Sequence, residues 1–447
     1  MVLEWEQHWD TFGVGGTCNY GTHNFFIGDV DDDGVLELIT GGYSYPSSDY
    51  NYTDVEAPLR IWNWDGTNFN IEKDHNWPGS IRSIYAGDLD GDSIVEILTA
   101  SFSTLRLWNW NNEALTSKTQ YVGISARSMF ISDVNNDQIP ELLIVGSVYG
   151  DNGSGTQLQV LKWNKTTTSL ELVAYSKTQA NSVCAVDLNN DGVIEIVTGG
   201  YSNNLTSSRG EISVWTLNGE TLVLRDRNEW CSIEEGYGVG ISGAPMGNTM
   251  VSNLKIGDVD DDGFEEIVAG GFTYDGEKVN AQLTIWNWSS HVLELEKSQE
   301  WRSRDITEVK SISLNDVDGD GSLDIINSGF IGVYGGFSDV DKPAEQAQLR
   351  VWSWDGEELK LKVGHDWDVG EGVTAWNVAT GDVDNDGTVE IVTIGCMYVS
   401  NLCDPDLRIW SIASNAGSFP YDILPVALAV VVVIIIAIFI AKKKRWV

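Results

Sequence analysis

The stretch GDVDDDGVLE at 28–37 places four acids in five positions and a fifth acid four residues later. Carboxylates that close repel one another unless a cation lies between them, so the residue types point to oxygen ligation of a hard metal ion. In a DxDxDGxxE loop, positions one, three and five turn their side chains inward. The glycine at six permits a positive φ, the carbonyl of seven adds an oxygen, and the acid at nine binds through both of its oxygens. About six oxygens suit Ca2+, whereas Mg2+ asks for a stricter octahedron with retained waters, and softer metals draw His or Cys.

The loop occurs seven times. The expected ligands are Asp29, Asp31, Asp33 and Glu37 in loop 1, and Asp88, Asp90, Asp92 and Glu96 in loop 2. Loop 3 offers Asp133, Asn135, Asp137 and Glu141, and loop 4 offers Asp187, Asn189, Asp191 and Glu195. Loop 5 has Asp258, Asp260, Asp262 and Glu266; loop 6 has Asp316, Asp318, Asp320 and Asp324; loop 7 has Asp382, Asp384, Asp386 and Glu390. The expected cofactor is therefore Ca2+, up to seven ions, one per repeat. Ser93 and Gln138 stand where glycine is expected, and Asn135 and Asn189 replace acids, so loops 3 and 2 should be the weakest.

Around each loop the order of elements is steady. An alternating strand (HNFFIGD) enters the loop, a second (LELITGGY) leaves it, a variable insert follows, and LRIWNW leads through Asp65-Gly66 to a strand ending near a Trp. Asp-Gly between alternating runs signals a hairpin. Four short antiparallel strands in each of seven units predict an all-β fold, a seven-bladed β-propeller of four-stranded blades over 2–412. The seventh unit lacks its last strand, while LEWEQHW at 3–9 precedes the first full unit, so the N-terminal strand should close the ring and remove its open edges. In a four-strand meander the acidic loops and the third-to-fourth turns share one face; the inserts and the connections between blades share the other.

These residues resemble the FG-GAP or VCBS repeats of integrin α-subunit propellers, whose blades carry DxDxDGxxD/E calcium loops between their first two strands. The resemblance spans roughly residues 2–412 and implies a seven-bladed propeller with calcium as a structural ion. It does not make the chain an integrin: no leg domains follow the repeats, no inserted domain interrupts them, and several copies lack the Phe-Gly before the loop.

The formal charge is −39, which disfavours nucleic acid as a partner because phosphate binding needs a basic surface. Cys396 and Cys403 flank an insert closely enough to bridge a hairpin, and Cys184 reads as a buried thiol in an inner strand. After a linker at 413–422, residues 423–441 (ILPVALAVVVVIIIAIFIA) carry no charge and are long enough for a transmembrane helix, followed by a basic tail at 442–447. The positive-inside rule puts that tail in the cytoplasm and the propeller outside, with the calcium face toward the bilayer. A translocated propeller needs an N-terminal signal, and Met1 begins almost inside a strand. A trimmed or misassigned start is expected, with a tail-anchored protein facing the cytoplasm as the alternative.

Function is expected on the insert face, at 44–58, 149–157, 273–282, 331–348 and 231–250, whose mixture of Tyr, Gly, Ser, Asn and Asp suits contacts with protein or glycan. The recurring pairs Trp62/Trp64, Trp108/Trp110, Trp286/Trp288 and Trp352/Trp354 read as packing rather than sugar stacking. His8, His75 and His365 precede strand-ending Trp residues, and no HExxH or GxSxG motif occurs, so no catalytic residue is assigned. The leading reading is a membrane-anchored extracellular binding or adhesion module, not an enzyme. The alternatives are a propeller-type polysaccharide lyase and a structural envelope component. A Lys or Arg beside acids in a deep cleft of the insert face would favour the lyase.

Overall fold

The computed structural model describes residues 1–8, 24–43, 55–111, 114–148, 155–203, 208–232, 238–239, 245–246, 249–289, 291–333, 345–369, 372–399 and 402–412. The linker 413–422, the apolar span 423–441 and the basic tail lie outside these residues, as do most of the inserts except 273–282. Among the described residues no helix is long and apolar enough to cross a membrane, and all regular structure is strand.

The chain is an all-β propeller of small antiparallel sheets. The first repeat folds as Asn24–Gly28, Glu37–Gly41, Glu56–Trp64 and Phe69–Pro78, paired in chain order, and repeats two, three and four do the same. Expectation and structure part at repeats five and six. Their strands do not form two separate four-stranded blades but one eight-stranded sheet. Val279 in Val279–Ser289 pairs in parallel with Ile306 in Ile306–Asn315, and the Val279 N–H donates to Asp305 O at 2.9 Å. Ion pairs Lys278–Asp305 at 2.9 Å and Arg302–Asp275 at 2.7 Å draw the connection against the insert, over a small core of Phe272, Val279 and Ile306. The prediction of seven four-stranded blades is thus corrected to five such blades and a joined sheet.

The fifth blade contains the chain's first strand. Val2–His8 pairs antiparallel with Leu402–Ser411, from Val2 opposite Ser411 to His8 opposite Asp406, beside Glu390–Val399 and Gly372–Gly381. Arg408, 5% exposed, ties the added strand in by pairing with Glu6 at 3.1 Å.

Neighbouring repeats are joined by indole on indole. Trp77 lies 5.0 Å from Trp108, Trp230 5.1 Å from Trp286, Trp301 5.2 Å from Trp352, and Trp367 5.1 Å from Trp410. Each pair sets a strand-ending Trp of one repeat on a third-strand Trp of the next. Its Nε1 often donates further into that repeat, Trp230 to Gln282 at 2.8 Å and Trp301 to Gln348 at 3.0 Å. The Trp pairs named from the sequence are core residues, as their repeat position required, except that Trp64 is only partly buried against its cluster. His75 and His365 pack on the same indoles.

Inner strands are kinked by bulges, which bring their backbone against the second strand. At Gly395 an added Cβ would sit 1.7 Å from Thr374 O, and at Gly271 1.9 Å from Met250 O, so glycine is required there.

Closure by the first strand generates a prediction. Deleting residues 1–8 leaves the outer-edge backbone groups of 406–411 unpaired and Arg408 without Glu6. The truncated chain should aggregate or melt at a clearly lower temperature in differential scanning calorimetry; a monomer with the parent melting temperature would contradict the role given to this strand.

Candidate metal centres and the central cavity

All seven acidic loops share one backbone geometry. Position four lies in the left-handed region in each, from φ 57 at Asn190 to 74 at Gly319. Position six does likewise, and Ser93 and Gln138, both at φ 69, adopt it without being glycine. The missing glycines therefore strain loops 2 and 3 but leave their shape unchanged.

The acids are first used as caps. The position-one Asp accepts the N–H of position five at 2.9–3.2 Å with one oxygen and that of position six at 2.7–3.0 Å with the other. The position-five Asp accepts the N–H of position seven at 2.8–3.0 Å. The acid at nine begins the second strand, is fully buried, and accepts the N–H of position two at 2.9–3.4 Å with a single oxygen.

What meets its second oxygen differs among loops. Glu37 Oε1 and Glu266 Oε1 are buried without a hydrogen-bond partner, on side chains 0% and 1% exposed. Burial, together with Asp31, Asp33 and Asp29, pushes the Glu37 carboxyl up to about 8; burial, with Asp260 and Asp262, does the same to Glu266. Glu390 Oε1 accepts from Thr388 Oγ1 at 2.9 Å, and its carboxyl rises through burial to about 7. In loop 3 the Asn135 amide donates to Glu141 Oε1 at 2.6 Å. In loop 4 Asn189 Nδ2 donates to Asp191 Oδ2 at 3.1 Å, and Asp191, Glu195 and His291 present ligand atoms within 4.8 Å of one another.

Loops 2 and 6 contain a lysine. Lys118 Nζ donates to Asp90 Oδ2 and, at 2.9 Å, to Glu96 Oε1. Lys362 Nζ lies 2.9 Å from Asp318 Oδ2, 2.9 Å from Asp320 Oδ2 and 2.7 Å from Asp324 Oδ1. Burial works against the Lys362 charge, yet the bonds to Asp324, Asp318 and Asp320 hold its pKa above the ordinary value.

A Ca2+ ion fits the donor set of loops 1, 5 and 7. Carboxylates there face other carboxylates, and a divalent cation would supply the missing positive charge and, in loops 1 and 5, the bonds that Glu37 Oε1 and Glu266 Oε1 lack. The ligands would be those named from the sequence. Four neighbours absent from that set are Lys118, Lys362, His291 and Glu4, the last within 4.8 Å of Asp384 and Glu390 in ligand atoms. They come from outer strands or turns far from the loops in sequence, so loop spacing held no sign of them.

The inner strands of all seven repeats line a central cavity of about 560 Å3. Its wall is knit by polar contacts such as Asn377 Nδ2 to Asn24 Oδ1 at 2.9 Å, across the closure of the ring. Arg127, Lys255 and Lys310 line it. Arg127 donates to Asn181 Oδ1 at 3.0 Å; Lys310 pairs with the buried Glu308 and lies 5.0 Å above Phe330 and 5.2 Å above Trp376. Cys184 is a buried free thiol on this wall, and Cys396 is disulfide-bonded. No protein-family model matches the chain.

The caps predict stability without metal. Asp258→Ala and Asp133→Ala each remove two charge-assisted hydrogen bonds, so each should cost about 2–4 kcal/mol in urea denaturation with chelator present. With calcium added, Asp258→Ala alone should lose the further stabilisation. A neutral Asp133→Ala would contradict the capping role.

Proposed function

We propose that the chain is a calcium-stabilised β-propeller that recognises a protein or glycan through the face opposite its acidic loops, held at the cell surface by the apolar segment 423–441. The observation that carries the calcium reading is the buried, unpartnered oxygen of Glu37 and Glu266 inside a cage of aspartates. The resemblance to FG-GAP repeats supports it, since the loops lie between the first two strands of each repeat. Repetition around the ring is what a structural staple requires, and a catalytic centre would need only one copy.

Recognition is supported by the cavity. Trp376 offers an aromatic face, Arg127 and Lys310 positive charge, and Asn181 an amide, a combination suited to an acidic or hydroxyl-rich ligand. The basic cluster Lys442, Lys443, Lys444 and Arg445 beyond the apolar segment supports an outside location for the propeller. A second reading, a polysaccharide lyase, draws on Lys310 beside Glu308 in that cavity, because proton abstraction next to a uronate needs a base and charge neutralisation.

Three measurements test these readings. Chelation by EGTA should lower the melting temperature of the full chain in detergent, and readdition of Ca2+ should restore it; an unchanged melt would contradict the calcium reading. On a glycan and surface-protein array the parent should retain ligands that Trp376→Ala and Arg127→Ala lose by tenfold or more. Release of unsaturated uronate products from acidic polysaccharides, seen by ultraviolet absorbance and lost in Lys310→Ala, would favour the lyase instead.

A further inference from the structure

The fourth strand of every repeat carries a bulge at one register position. In the first repeat Trp62 pairs Ile71 and Ile61 pairs Lys73, leaving Glu72 unopposed. The same step leaves out Lys118, Val173, Arg225, Glu296 and Lys362 in the next five repeats, and Glu4 in the strand that completes the ring. A bulge re-aims its side chain. Lys118 and Lys362 both reach their own acidic loop, and Glu4 comes within ligand distance of Asp384 and Glu390; Glu72 and Glu296 stand at the same bulge position in repeats one and five.

The two lysines mark where a cation belongs. Lys362 Nζ donates to Asp318 Oδ2 and Asp320 Oδ2 and lies in ion-pair contact, at 2.7 Å, with Oδ1 of Asp324, the second oxygen of the position-nine acid. The equivalent oxygens of Glu37 and Glu266 have no such donor, and glutamate stands at the bulge of those repeats. A lysine there supplies one tethered positive charge; a glutamate adds another oxygen ligand and raises the demand for a mobile one.

We propose that the bulged residue of the fourth strand sorts the loops: Lys118 and Lys362 fill loops 2 and 6 with an internal ammonium that excludes metal, whereas Glu72, Glu296 and Glu4 complete carboxylate cages for Ca2+ in loops 1, 5 and 7. This rests on the calcium reading above and replaces one ion per repeat by a sorted set. Loop 6, whose sequence has every ligand in place, is thereby predicted to take none. Loops 3 and 4, with Val173 at the bulge or Arg225 bonded to Thr216 at 2.8 Å, belong to neither group.

The test is the number of Ca2+ bound per full-length chain in detergent, by isothermal titration and equilibrium dialysis, with melting followed in EGTA. The parent should bind three to five ions. Glu296→Lys should bind one fewer and melt higher than the parent in EGTA, because its ammonium replaces the missing ion. Lys362→Glu should bind one more and melt lower in EGTA, with recovery on adding Ca2+. Should Lys362→Glu fail to fold, Lys362→Met, which frees the three acids of loop 6 that the lysine holds without adding another, should still gain one weaker site. Seven ions in the parent, or unchanged counts in Glu296→Lys and in whichever Lys362 variant folds, would overturn the sorting while leaving the calcium reading intact. No ion bound by the parent would overturn that reading itself.

Discussion

The structure depends on one buried carboxylate, repeated. In each repeat the acid at the start of the second strand accepts the N–H of loop position two and so locks the loop onto the sheet. That bond alone leaves half of a buried acid unsatisfied, and its aspartate neighbours worsen the electrostatics. A buried charge without a partner is among the costliest features a fold can contain. Each loop must therefore find positive charge or a proton donor, and the loops differ in what meets that acid: an ammonium in loops 2 and 6, an amide in loop 3, and in loops 1 and 5 no hydrogen-bond donor at all to its second oxygen.

Around these loops the ring is held by contacts that also repeat. Tryptophan meets tryptophan between neighbouring repeats, and the chain's first strand completes the sheet of its last. Together they couple distant parts of the sequence, so a weakness in one loop is felt by the repeats beside it. Loops also touch directly: Asn136 donates to Gly192 O at 2.8 Å and Asn190 to Gly263 O at 2.9 Å, linking loop 3 to loop 4 and loop 4 to loop 5. Repeats five and six go further and share a sheet, through a parallel bridge on the insert side.

Much of this was legible in the sequence, because the determining signals are local and repeated. The loop motif, the Asp-Gly turns, the alternating strands and the recurring Trp positions all lie within a few residues of one another. Pairing of Val2–His8 with Leu402–Ser411 was legible from a missing strand at one end and a surplus one at the other. Less legible was anything set by register. A bulge that turns Lys362 into loop 6 rather than outward has no signature in DVDGDGSLD, and LKLKVGHDW reads as an ordinary amphipathic strand. The joined sheet was missed for a similar reason, since Val279 and Ile306 meet only through the side-chain pairs that fold the intervening connection back.

The most direct test of the account is a crystal structure of the chain grown with Tb3+ in place of Ca2+, read by anomalous scattering. The account predicts peaks within loops 1, 5 and 7 and none within loops 2 and 6, where Lys118 and Lys362 should keep their carboxylate contacts. Peaks inside loops 2 or 6, or the absence of any peak among Glu37, Glu266 and their aspartates, would contradict it.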